Sequence, residues 1–351
     1  MNRIGLWLKL ADLHAALKNP VLNPALNQAA LEDRAAGQIQ QLVQSGLDRL
    51  PMPGRGSTLA RWQALAAVAS HDLSLAKLYE GHTDALAVLQ ELGCTTHGPE
   101  GATWGLWAAE LPKQRVEVNV TGEGRATLQG KKAWCSGAAS VSHGLLTAWC
   151  ASGHGPQLVR VEMHQPGIQI SAAHWHAVGM ASSRSLEVVF DGAEAQLVGQ
   201  PGDYFARPGF WHGGAGIAAC WYGGTLTLAN ALRRAAVTRT EPFRLAALGK
   251  VDLALQSTAA LLREAAAWID AHPADDAMMG ALRVRQSAEA TARLVLDETG
   301  RALGATPFCR DACFAQAAAD LPVYIRQSHA ERDFSSLGER LVAREDAAWT
   351  L

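Results

Sequence analysis

Side chains able to do chemistry gather in a few short stretches. The run Leu128-Gln-Gly-Lys-Lys-Ala-Trp-Cys-Ser-Gly137 closes on a tryptophan, a hydroxyl and a glycine. Trp134 brings a flat amphipathic ring, Ser136 a donor, and Gly137 room for close backbone approach. A planar polar cofactor needs such a surface; the plainer alternative is a hairpin with one core tryptophan. A second run, Ser328-His-Ala-Glu-Arg-Asp333, carries His329, Glu331 and Asp333, with Arg326 just ahead and Arg332 inside it. Imidazole titrates near neutral pH and can take or give a proton. The same residues also suit an exposed ion-pair face. His212, after Trp211, either lines a cavity or simply marks a helix start. His174 and His176 flank Trp175 in a stretch read as a strand, which would put both on one face, but no third ligand is in view. Cys309 and Cys313 lie four apart with no paired histidine, so no metal site is expected. His71-Asp72 reads as a capping pair.

The rest of the chain must position these groups. Its 351 residues suffice for two or three domains, and 48% hydrophobic against 18% charged residues implies a globular protein with a large core. Lys+Arg 31 against Asp+Glu 33 leaves a net charge of -2, without the basic excess of a nucleic-acid binder. No apolar run reaches the ~18 residues of a membrane helix. Lys9 and Asp12 break the start as a signal-peptide core. Six irregularly placed cysteines suit a reduced, cytoplasmic setting.

Residues 1–100 read as a helical domain. Leu59, Trp62, Leu65, Ala66, Ala69, Leu73 and Ala76 have the spacing of one helix, and Ala85 to Leu92 reads as a short further one, capped by Thr83 or Asp84 and stopped by Gly93. Pro51 to Gly56 is a loop. Residues 101–205 change to period two. Val116, Val118 and Val120 alternate with polar residues, Thr121 to Gly124 is a turn, and Gln129-Gly130 permits another. Further strands are expected at Ala126 to Trp134, Leu145 to Cys150, Gln157 to Met163, Ile168 to Ile170 and Leu186 to Phe190, giving a β-barrel or sandwich of ~100 residues. Residues 206–351 turn helical again, with runs at about 216–237, 243–271, 276–303 and 309–329 that suggest an antiparallel four-helix bundle. No dinucleotide fingerprint or phosphate loop is present.

That order, helical domain, β-barrel domain, helical bundle, resembles the acyl-CoA dehydrogenase superfamily from about Leu59 to Leu341. Leu128 to Gly137 looks like its L-x-G-x-K-x-W-I-T-x-G strand pair. Val178-Gly-Met-Ala-Ser-Ser-Arg-Ser-Leu-Glu-Val-Val-Phe-Asp191 looks like its G-x-x-x-[ST]-x-S-x-x-[VL]-x-F-[DE] segment. Ser74 to Leu86 is similar to its D-x-[SG]-x-A helix.

The resemblance implies an FAD between the β domain and the bundle, in a homodimer or homotetramer. Trp134 would pack near the flavin ring and Ser136 bond its polar edge. Arg239 and Phe243 loosely match the Arg-x-x-Phe that meets the pyrophosphate, one residue too long, and Gly304 matches a Gly-rich loop. The family's T-E-x-x-x-G-S-D motif is replaced by Trp107-Ala-Ala-Glu-Leu-Pro-Lys113. There Ala109 supplies no hydroxyl, which leaves backbone amides around Trp107 and Ala109. The implied reaction is oxidation of an acyl thioester, CH–CH to C=C, with hydride passing to flavin N5. The usual base is absent: Ser328 stands at the glutamate's place, and the alternative position falls near Ile217. His329 is then the sharpest catalytic candidate and Glu331 the second. The other implied readings are a flavin monooxygenase using His329 and a non-catalytic binding or assembly module.

Overall fold

A computed structural model describes residues 3–19, 33–94, 98–111, 114–150, 155–343 and 349. Helices α1 (Arg3–Leu17), α2 (Arg34–Gln44), α3 (Thr58–His71) and α4 (Leu73–Glu91) come first. Strands β1 (Trp104–Trp107), β2 (Val116–Gly122), β3 (Arg125–Cys135), β4 (His143–Cys150), β5 (Pro156–Glu162), β6 (Ile168–Ser171) and β7 (Leu186–Val198) follow. Then come α5 (Asp203–Ala206), α6 (Gly209–Thr238), α7 (Pro242–Ala271), α8 (Met278–Leu303), α9 (Thr306–Arg310), α10 (Ala312–Tyr324) and α11 (Glu331–Val342). The chain forms two compact units: Met1–Leu50 with Ser74–Phe210, and Pro51–Leu73 with Trp211–Leu351.

In the first unit the strands close on themselves, in the order β4, β2, β3, β7, β5 and back to β4. β1 extends the sheet along the first half of β4, and β6 lies along the first half of β7. The period-two pattern does what alternation requires: Val116, Val118, Ala126, Leu128, Val159, Val161, Val188 and Phe190 face one another inside. Each such side chain contributes about 1.5–3 kcal/mol by leaving water. Outside the barrel, Ala85, Val88 and Leu89 of α4 pack on Trp104, Leu145, Leu158 and Val198.

Three local expectations are corrected. Gln129-Gly130 is not a turn. β3 runs through it, the turn lies at Glu123-Gly124, and the register against β7 shifts between Leu128 and Gln129. Gly130 sits at φ +118, where an added Cβ would strike the carbonyl of Arg115. The glycine therefore serves a bulge and a close backbone approach. The helix break falls at Asp72 (φ -158, ψ 126), and α4 runs straight through Thr83 and Asp84. Thr83 satisfies its hydroxyl on the Glu80 carbonyl at 3.2 Å, so it sits inside the helix without capping it. The run at 309–329 is split: Asp311 caps α10 by accepting from Phe314 N at 3.0 Å, and a single 3-10 turn spans Ile325–Gln327.

In the second unit α3 packs with α6 and α7. Gly216 lies under Trp62 and Leu65, and Gly223 meets the backbone of Ala66, which no larger residue could do. Thr227 Oγ1 donates to Ser70 O at 2.8 Å, and Asp270 accepts from Gly56 N, Thr58 N and Thr58 Oγ1. α7 and α8 run antiparallel, pinned by Lys250–Glu298 at 2.8 Å and by Thr258 to Thr291 at 2.8 Å. Among the described residues α7 is the one helix long and apolar enough to cross a membrane by length and composition alone, at a mean hydropathy of 1.3. Lys250 and Asp252 interrupt it, which is why no continuous apolar run is visible in the sequence.

Candidate functional site

Two polar constructions stand out, one in each unit. In the first, β3 loses register with β7 between Lys132 and Cys135. The chain then turns through Trp134 in the left-handed region at φ 60, and the residue is 55% exposed. Left-handed backbone costs a non-glycine residue about 1–2 kcal/mol. An exposed indole gains little burial to offset it, so the conformation presents the ring at an energetic cost. Ser136 follows, with its N donating to Trp134 O at 3.0 Å. Ser136 Oγ lies 2.7 Å from Ser185 Oγ, which lies 3.1 Å from Ser183 Oγ. Met180 (φ 60) and Arg184 (φ 40) flank that serine turn. Three of the four left-handed non-glycine residues described thus surround one row of hydroxyls. Strain concentrated this way marks functional sites. Gly137 closes the arrangement: its N donates to Ser183 O at 2.9 Å, and at φ +70 an added Cβ would press on Leu78.

Trp107 is buried, and Gly105 and Gly144 are bare because its indole fills the space their side chains would need. Its Nε1 donates to Ser136 O at 3.1 Å, so the ring is a spacer holding the turn. Ala109 is exposed and offers only backbone; Pro112 and Lys113 of that segment lie outside the described residues. Glu110 is tied down by a residue of β3. Buried Lys132 donates to Glu110 Oε1 at 2.6 Å, to Thr147 O at 3.0 Å and to Thr147 Oγ1 at 2.8 Å. Burial holds the ammonium below its ordinary pKa, against the opposing pull of Glu110.

In the second unit His329 stands just before α11, its side chain 63% exposed. Its Nδ1 lies 3.4 Å from Asp333 Oδ1, and its backbone N donates to Asp333 Oδ2 at 3.2 Å. Buried Asp333 also accepts from Gln286 Nε2 at 3.3 Å, and Gln286 donates to Ser328 Oγ at 3.0 Å. Buried Arg285 donates to Gly214 O at 3.0 Å and Gln327 O at 2.9 Å, fixing the loop to α6 and α8. Ala330 carries the strain, at φ 45 and ψ -114. Glu331 is exposed in the first turn of α11, with no ion pair among the described residues. The run is therefore not one solvated face: Ser328 and Asp333 point inward and hold His329 outward.

The other sequence candidates separate. Arg239 pairs with Glu241 at 2.7 Å and is 78% exposed. Phe243 is 90% exposed at the start of α7. The α7–α8 pairing places both at the same end of the helix pair as Gly304, which caps α8 at φ 64. His212 is buried against Gly54 in the second unit, a core position. His174 and His176 follow β6 in irregular backbone, not on a strand, because the strand ends at Ser171. Among the described residues no three His, Cys, Asp or Glu side chains converge as a metal site, and all six cysteines are free thiols. Ser183 and Ser185 were absent from the sequence candidates, although both lie in the quoted Val178 to Asp191 segment. Their signal is the spacing of two hydroxyls on one side of a strand start.

The donor set fits a flavin: an exposed planar ring, hydroxyls and backbone amides. No family model and no curated protein matches the chain. Solved structures do. Butyryl-CoA dehydrogenase from Megasphaera elsdenii superposes with a TM-score of 0.82 at 16% identity, over 97% of this chain and 99% of that one. The dibenzothiophene monooxygenase TdsC from Paenibacillus sp. A11-2, solved with FMN and indole, gives 0.77 at 18% identity, over 95% and 97%. KijD3, solved with FMN and a dTDP-amino-keto-sugar, gives 0.77 at 19% identity, over 97% and 95%.

Proposed function

The chain has the acyl-CoA dehydrogenase-like fold, and we propose that it is a flavin-dependent oxidoreductase. The observation that carries this reading is the exposed, left-handed Trp134 beside the Ser136, Ser185 and Ser183 hydroxyls. Trp134, Ser136 and the Ala109 backbone would hold the cofactor. FAD is the proposed form of the flavin. A bound flavin would supply the two-electron acceptor.

The proposed substrate is an acyl thioester oxidised from CH–CH to C=C. His329 accepts the α-proton. Asp333 on the Nδ1 side sets the tautomer, leaves Nε2 as the basic nitrogen, and stabilises the imidazolium that forms. Glu331, in the first turn of α11, is the second candidate for the proton. Such proton transfer contributes about 10²–10⁴-fold in rate.

The test starts with an absorption spectrum and titrations with FAD and FMN. A chain that stays colourless and binds neither refutes the reading. With flavin bound, anaerobic bleaching by acyl-CoA supports the thioester oxidation, and His329→Ala should slow it at least about 10²-fold. An unchanged rate removes His329. Oxygen incorporation driven by a flavin reductase, without bleaching by acyl-CoA, would move the reaction to monooxygenation.

A further inference from the structure

A cavity lies in the helical unit, where α7, α8 and α11 meet. It encloses about 330 Å³ and is lined by Trp268, Ile269, Gly280, Arg283 and Arg340 among others. Small-molecule sites occupy about 300–1,000 Å³. Trp268 forms an aromatic wall: its ring is stacked on His272 at 4.8 Å and 39% exposed. Gly280 lies in the first turns of α8 with helical backbone, and a Cβ placed there meets nothing within 4 Å. A helical glycine gives up about 0.5–1 kcal/mol relative to alanine. Here nothing in the packing requires it; its effect is to leave the groove open.

The charges are uneven. Arg340 is closed on Asp276 at 2.9 Å. Glu264 stands exposed at the rim. Arg283 is half-buried and makes no hydrogen bond or ion pair among the described residues. A guanidinium offers a rigid fork of donors matched to a carboxylate, and apolar walls favour an apolar body. We propose that this groove binds a small amphipathic carboxylate, its ring or branched chain against Trp268 and Ile269 and its anion on Arg283.

The experiment uses the full chain with the Met279 methyl labelled for NMR, titrated with 2-naphthoate and, in parallel, neutral 2-naphthamide. The proposal expects saturable shifts at Met279 with naphthoate, and at least tenfold weaker binding of the amide. Arg283→Gln should weaken naphthoate at least tenfold, and Gly280→Leu should abolish its binding. Gly280→Ala, which adds one methyl in open space, guards against a folding failure in the leucine variant and should weaken binding without lowering the melting temperature. His329→Ala should leave the Met279 titration unaltered, which separates this site from the proposed catalytic residue. Equal binding of acid and amide, indifference to Arg283→Gln, or no shift at 10 mM ligand (a concentration about tenfold above a millimolar Kd) would overturn it.

Discussion

Replacing Lys132 with methionine probes how the barrel holds the segment after β1. The ammonium is 1% exposed and donates three bonds, to Glu110 Oε1, Thr147 O and Thr147 Oγ1. Stranding one member of a fully buried pair costs about 3–5 kcal/mol. Two features reduce that here. Glu110 is 27% exposed and regains water, and methionine no longer carries a charge that burial disfavours. The expected loss is about 2 kcal/mol, or about 4–8 °C in melting temperature. Glu110→Gln should cost about 1 kcal/mol, and the double variant clearly less than the two losses added, because both remove one interaction. The pH dependence has a definite sign. Lys132 titrates below its ordinary 10.5 in the folded chain, so the native state sheds its proton first. Its contribution to stability therefore rises with pH from the folded pKa up to about 10.5, and Lys132→Met should flatten that rise. Urea titrations at neutral and alkaline pH measure both effects. A Lys132→Met chain as stable as the parent, or strictly additive losses, would refute the coupling between Lys132 and Glu110.

Three further outcomes are expected. Trp134→Ala should change stability by less than about 1 kcal/mol, since the residue is 55% exposed. It should weaken flavin binding at least tenfold, read by fluorescence quenching. Gly130→Ala should cost about 2 kcal/mol or more, from its φ of +118 and the Arg115 carbonyl, measured by thermal denaturation. Iodoacetamide at neutral pH should modify exposed Cys309 and Cys313 first. Burial pushes the Cys135 thiol far up, so mass spectrometry should find it labelled only after unfolding.

Much of the architecture was readable from local pattern. Val116 and Val118 point inward as their alternation demands, and α8 ends at Leu303, where the helical run was expected to end. The misreadings share a cause. Gln129-Gly130 carries the same residue signal whether positive φ serves a turn or a bulge, and only the passing Arg115 carbonyl distinguishes them. Thr83 and Asp84 have capping chemistry, but α4 buries Ala85, Val88 and Leu89 on the barrel, and that burial carries the helix through. At the candidate site, Trp134 and Ser136 were visible as residue types. The strain at Trp134, Met180 and Arg184 was not, because a left-handed conformation at a bulky residue is imposed by tertiary contacts. Asp333 read as one charge in a solvated run; its burial depends on Gln286 and Arg285, some forty-odd positions earlier in the chain.

The close fit of Gly223 on the Ala66 backbone bears on how the protein is made. The partners of Trp62, Leu65 and Ala66 include Gly216 and Gly223. On the ribosome, α3 emerges with its apolar side bare and stays so while the whole barrel is synthesised. A gene split after Phe210 would leave α3 on the wrong fragment, without a surface to cover it. Nascent chains stalled anywhere before α6 would be the chaperone-dependent, aggregation-prone species of this protein.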